Sequence, residues 1–166
     1  AFDAMGALGV KMVGGTNAPI HFLTVPESPG STNAFTAFDI SQDRRWVVAA
    51  QIFTGAISCW DLRTGAHSLL PAMGGSVIST LFFSPDGTRL MGGDLIGASM
   101  IIWDVGSRRQ VGALPIKELP YTGAFSPDGR SIASYSPAGQ LEIWTAPSFE
   151  EIAAEEAKEK AESRLP

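Results

Sequence analysis

Three tryptophans, Trp60, Trp103 and Trp144, lie 43 and 41 residues apart, and the chain around each repeats in step with them. Upstream of each is a turn: Ser41-Gln42-Asp43-Arg44, Ser84-Pro85-Asp86-Gly87 and Ser126-Pro127-Asp128-Gly129, spaced by 43 and 42 residues. A glycine five or six residues ahead of each tryptophan (Gly55, Gly97, Gly139) completes the register. A fixed period of this size means stacked copies of one supersecondary unit, each too small to bury its apolar face alone.

The unit is clearest between Ser79 and Val105. The apolar run Leu81-Phe82-Phe83 ends at Ser-Pro-Asp-Gly, where Pro presets φ and Gly accepts φ > 0. Leu90–Gly93 forms a second run and Met100–Trp103 a third. Short apolar runs joined by tight turns read as an antiparallel meander, since hairpins need only short connections. The 18 Gly and 11 Pro suit a chain with that many turns.

The residues Ile57-Ser58-Cys59-Trp60-Asp61, Ile101-Ile102-Trp103-Asp104 and Leu141-Glu142-Ile143-Trp144, with the Ser-Pro-Asp-Gly turns, resemble the WD40 β-propeller family over roughly residues 5–146. The resemblance implies an all-β fold: a partial WD40-like β-propeller of about three and a half four-stranded antiparallel blades. Residues 1–33 would be the end of a preceding blade and a loop, with Leu8–Val13 and Ile20–Val25 as its last two strands. Blades would follow at 34–73, 74–115 and 116–146, the last without an outer strand. The resemblance also implies that Trp60, Trp103 and Trp144 pack between neighbouring blades. Asp61 and Asp104 after the tryptophans, and Asp86 and Asp128 in the turns, are then structural. No Gly-His dipeptide precedes an inner strand and Thr145 stands where the family has Asp, so the family's buried His–Asp network is not expected. In this family the last blade commonly takes its outer strand from the N-terminal part of the chain. A chain ending after a third strand therefore reads as a C-terminal fragment, with the remaining blades upstream.

Residues 147–166 read differently. Pro147 ends the strand, Ser148 is a good N-cap, and Glu151 three residues on completes a capping box. Glu156 and Lys160 are ordered for an i,i+4 pair, so a short acidic C-terminal α-helix is expected.

Catalytic signatures are missing: no G-x-x-x-x-G-K-[ST], G-x-S-x-G or H-E-x-x-H occurs. His21, His67 and Cys59 have no metal-ligand spacing, so no metal and no cofactor is expected. Cys59, the single cysteine, excludes an internal disulfide and suits a reducing compartment, which favours the cytoplasm. Before Pro147, nine basic and eleven acidic residues leave −2, and no Lys/Arg cluster offers itself to a phosphate backbone, so nucleic acid is not an expected partner. No apolar run approaches the ~18 residues of a membrane helix, so no membrane partner is expected either.

What remains is the loops. In the family, those joining second to third strands, and outer to next inner strands, line a face where partners often bind. Phe53, Leu95, Ile96, Tyr121 and Tyr135 are the apolar and aromatic residues there, and such side chains anchor interfaces well. The expected function is a protein- or peptide-binding scaffold with no catalysis of its own. The alternative is a regulatory propeller C-terminal to an upstream enzyme domain, because Ala146–Ile152 is similar to tails of bacterial WD40 proteins, some of which carry a Ser/Thr protein kinase. A propeller enzyme with a central site ranks last, since the inner strands offer little beyond Asp39.

Overall fold

A computed structural model describes residues 8–11, 20–23, 34–52, 54–71, 76–117 and 122–146. Among them the chain forms only strands. Leu8–Lys11 (β1) pairs antiparallel with Ile20–Leu23 (β2). Phe35–Ile40 (β3), Trp46–Gln51 (β4), Ile57–Asp61 (β5) and His67–Leu70 (β6) make a four-stranded meander. Ile78–Phe83 (β7), Arg89–Asp94 (β8), Ser99–Asp104 (β9) and Arg109–Pro115 (β10) make a second. Thr122–Phe125 (β11), Ser131–Tyr135 (β12) and Leu141–Thr145 (β13) make a three-stranded third. These are antiparallel sheets of the kind that form propeller blades, and their strands lie where the apolar runs place them. The expected C-terminal helix, residues 147–166, lies outside the described residues, as do the expected strand ends beyond Lys11 and Leu23.

The register of the three larger sheets is set at the first hairpin of each by the same turn. Ser41 Oγ donates to Asp43 (2.6 Å) and accepts the Trp46 N–H (2.8 Å). Ser84 with Asp86 and Arg89, and Ser126 with Asp128 and Ser131, repeat both bonds. Each Asp also accepts the amide N–H two residues on, from Arg45, Thr88 and Arg130, at 3.0 Å. The turn aspartates are therefore local backbone anchors.

Backbone conformation repeats as well. All eight positive-φ residues among the described ones fall at three steps of the repeat: Arg44, Gly87 and Gly129; Gly55, Ala98 and Gly139; Gly65 and Arg108. The sequence alignment put Gly97 in the second set. The structure gives that step to Ala98 (φ 44°) instead. Gly97 answers a different need, because a Cβ there would sit 2.5 Å from an Asp94 carboxylate oxygen.

Arg44 at φ 58° holds a conformation that its counterparts assign to glycine. A left-handed L residue costs about 1–2 kcal/mol, and the extra freedom of an unfolded glycine returns about 0.4–1. Arg44→Gly is expected to stabilise by about 0.5–1 kcal/mol, read as a higher urea midpoint at unchanged slope. A lowered midpoint would show that the Arg44 side chain contributes more than its backbone costs.

The blades dock through one large cluster and two smaller ones. Val48, Ala50, Ile57, Cys59 and Leu70 of the first blade pack with Ile78, Leu81, Phe83, Leu90, Ile101 and Trp103 of the second. Trp103 is fully buried, and its Nε1–H donates to the Pro71 carbonyl at the end of β6 (2.7 Å). Trp60 packs with Leu23 of β2, Phe35, Val47 and Ala49. Trp144 packs beside Phe82, Met91 and Met100 of the second blade and Ile116 just after it. Each tryptophan thus reaches the blade before its own. The Phe82 and Phe125 rings meet edge-on, 5.6 Å apart.

Two polar bonds fasten β3 to β7: Thr36 Oγ1 donates to the Ile78 carbonyl (2.6 Å), and Asp39 Oδ2 accepts the Phe83 N–H (2.8 Å). Burial raises the Asp39 pKa above 3.8 despite the amide bonds from Phe83 and Ile40 that oppose the shift. A raised folded-state pKa means the acid form is favoured by folding, so this stability is present below 3.8 and lost as pH rises through the folded value. Asp39→Asn, which keeps an acceptor without the charge, is expected to gain on the native chain as pH rises from the acid side to neutrality. Thermal melts at both ends of that window check it; a difference independent of pH would refute the assignment.

Candidate binding faces of the blades

An antiparallel meander sends its connections alternately to two ends, so the blades present two faces. One carries the first turns (41–45, 84–88, 126–130) and the hairpins after the tryptophans. The other carries residues 52 and 54–56 and the loops 95–98 and 136–140.

Of the candidate interface residues, Leu95, Ile96 and Tyr135 belong to the loop face. Ile96, at the tip of the β8–β9 hairpin, is 69% exposed, and Tyr135, at the end of β12, is 43% exposed. Leu95 is half-buried and donates its N–H to the Val77 carbonyl (3.0 Å). Phe53 and Tyr121 lie outside the described residues. The Ile96 loop is held from below by buried Asp94, whose carboxylate accepts the Ile96 N–H (3.0 Å), the Val77 N–H (3.3 Å) and the Ser76 hydroxyl (3.1 Å). Gln51 and Ser136 occupy the same step in the other blades and are likewise buried. Gln51 accepts the Thr54 hydroxyl (3.2 Å) and Ser136 the Gln140 N–H (3.4 Å).

The turn face is the more polar. Asp61 accepts the Arg63 N–H (2.9 Å) and pairs with Arg45 at 3.0 Å. Burial pushes its pKa up, but the Arg63 amide and the Arg45 guanidinium bring it below the ordinary value. Asp104 accepts the Ser107 N–H (2.7 Å) and pairs with Arg89, which together lower its pKa. In the third blade Ser131 and Thr145 take the corresponding cross-strand positions, and their hydroxyls meet at 3.1 Å. At the position that holds Arg89–Asp104 in the second blade, a hydroxyl pair replaces the ion pair, and Arg130, at the step of Arg45, donates to the Ala146 carbonyl instead (3.5 Å).

On this face the first turns of the blades enclose a cavity of about 470 Å³, lined by Gln42, Ser84, Pro85, Asp86, Arg89, Phe125, Pro127, Asp128 and Gly129. Sequence reasoning assigned Asp86 and Asp128 to their turns and did not see that successive turns share a hollow. The available signal was a proline beside an acid at the same step of two neighbouring repeats.

The remaining reactive groups are poorly set for chemistry. Cys59 is buried and its thiol pKa is pushed up to about 11 by that burial. Burial also lowers the His67 pKa, its Nε2 has no hydrogen-bond partner, and its ring lies 5.2 Å from Trp60. Among the described residues no three His, Cys, Asp or Glu side chains stand where they would hold a metal ion.

No family model matches the chain. It is similar to the U3 small nucleolar RNA-associated protein 21 of Saccharomyces cerevisiae, 35% identical over 74 residues, 45% of this chain and 8% of that protein. It is also similar to the Schizosaccharomyces pombe homologue, 41% identical over 66 residues, 40% of this chain and 7% of that one. The matched stretch is thus less than a tenth of either relative. Among solved structures it resembles Kuenenia stuttgartiensis hydrazine synthase with a TM-score of 0.60 over 67% of this chain and 32% of that one; at 15% identity the likeness is one of fold. The four-stranded antiparallel sheets, repeating every 41–43 residues, are of the kind that form β-propeller blades.

Proposed function

We propose that the chain is a binding platform for a protein or peptide, with no chemistry of its own, formed by blades of a WD40-like propeller. The observation that carries this reading is Ile96: a large apolar side chain, mostly exposed, on a loop whose backbone Asp94 holds in place. A pre-ordered apolar anchor loses little entropy on binding, and buries area that water otherwise covers. Tyr135 on the next blade extends the same face. Both yeast relatives carry a name that associates them with the U3 small nucleolar RNA, and a place within a larger assembly is the context this likeness favours.

The test compares the native chain with Ile96→Asp/Tyr135→Ala as bait, with captured proteins identified and their affinity then measured one by one. The expected result is a protein bound by the native chain and weakened about tenfold or more by the pair of substitutions, at unchanged melting temperature. Partners held equally by both baits would rule out this face.

A further inference from the structure

We propose that the cavity on the turn face is a second binding site, which takes the cationic side chain, Arg or Lys, of a partner polypeptide. This deepens the platform reading and rests on it. At about 470 Å³ the hollow falls within the ~300–1,000 Å³ range of ligand pockets. Its lining divides into two kinds of surface. Pro85, Pro127 and the half-buried Phe125 supply apolar walls, which suit the aliphatic stem of Lys or Arg and the flat guanidinium of the latter. Asp86 and Asp128 supply carboxylates for the charged end.

Both carboxylates are fixed before any ligand arrives. Ser84 Oγ and the Thr88 N–H bind Asp86, and Ser126 Oγ and the Arg130 N–H bind Asp128. The hydroxyl bonds, then the amide bonds, hold both pKa values below the ordinary carboxylate value, so the acids are charged at neutral pH. Two cations oppose them in part: Arg89, which lines the cavity and pairs with Asp104, also acts on Asp86, and Arg130 acts on Asp128, so two guanidiniums stand against the three carboxylates of Asp86, Asp104 and Asp128. The charge left facing the hollow is therefore negative, which selects a cation and repels a phosphate. The site exists only because blades dock: Gln42, the Ser84–Arg89 turn and the Phe125–Gly129 turn come from three successive blades.

The probe is a capped Gly-Arg-Gly-Arg-Gly peptide titrated into the isotope-labelled chain, with a Gly-Glu-Gly-Glu-Gly peptide alongside. The expected result is saturable amide shifts confined to residues 84–89 and 125–129, weakened by salt and absent with the glutamate peptide. Asp86→Asn/Asp128→Asn keeps an acceptor for each turn and is expected to weaken binding about tenfold or more, with circular dichroism confirming an unchanged fold. No saturable shifts, shifts at residues 95–98 instead, or equal affinity in the double variant would each overturn the proposal. None of these removes the platform reading, which fails on its own test at Ile96 and Tyr135.

Discussion

Trp103→Ala is expected to destabilise the chain by about 3–5 kcal/mol, the cost of emptying a large aromatic site in a packed core. Trp103 is fully buried inside the cluster that joins the first two blades. On one side Gly92 lies against the indole, where a Cβ would stand 2.9 Å from the ring, so that wall of the void has no side chain to move into it. Trp103→Phe keeps most of the packing and gives up the Nε1–H bond to Pro71, at a cost of about 1 kcal/mol on top of the lost volume. Trp46 is the control. It is only half-buried, with the Arg45 guanidinium 4.6 Å over its ring, so Trp46→Ala is expected to cost clearly less. Urea unfolding of the three variants orders them, and equal losses at 103 and 46 would contradict the packing described here. Against a typical domain stability of about 5–15 kcal/mol, the Trp103 loss leaves the native state barely populated at moderate temperature.

Gly55→Ala is expected to cost about 2–4 kcal/mol, from a strained conformation and a collision together. Gly55 has φ 64°, and a Cβ there would come closer than 3.0 Å to the carbonyl oxygen of Ser76, a backbone atom with no side-chain freedom to give way. The repeat supplies its own comparison. Gly139, at the same step of the third blade, has φ 82° and nothing within 4 Å of such a Cβ. Gly139→Ala therefore carries the conformational cost alone, about 1–2 kcal/mol. Ala98, the native residue at that step in the second blade, shows that the fold bears this cost there, as it does at Arg44 and Arg108. Matched melting curves for the two glycine variants separate the contributions, and a Gly139 variant as unstable as the Gly55 one would refute the role given to Ser76.

The period and the strand positions were legible because they depend on neighbours in the chain. A Ser-x-Asp turn closes its hydrogen bonds within five residues, so its sequence states its geometry. The placement of Gly97 failed for the same reason in reverse: two adjacent small residues both fit a left-handed step, and only the path of the hairpin chooses Ala98. Asp39 offered no local sign of its task. Its partner, the Phe83 amide, is 44 residues away on another blade. The turn-face cavity was hidden similarly, since Pro85 and Pro127 read as turn formers until the blades are set side by side. Interactions within a blade can be read from spacing; those between blades depend on how sheets stack.

That division bears on how such a chain can change over time. Strand pairing in each sheet is settled by its own hairpins, whereas Thr36–Ile78, Asp39–Phe83 and Trp103–Pro71 reach across 42, 44 and 32 residues. Insertions or deletions in a connector between sheets leave every ladder in register and alter only what meets across the seam. The connectors are therefore constrained by the seam bonds on either side of them rather than by the ladders, which are complete without them.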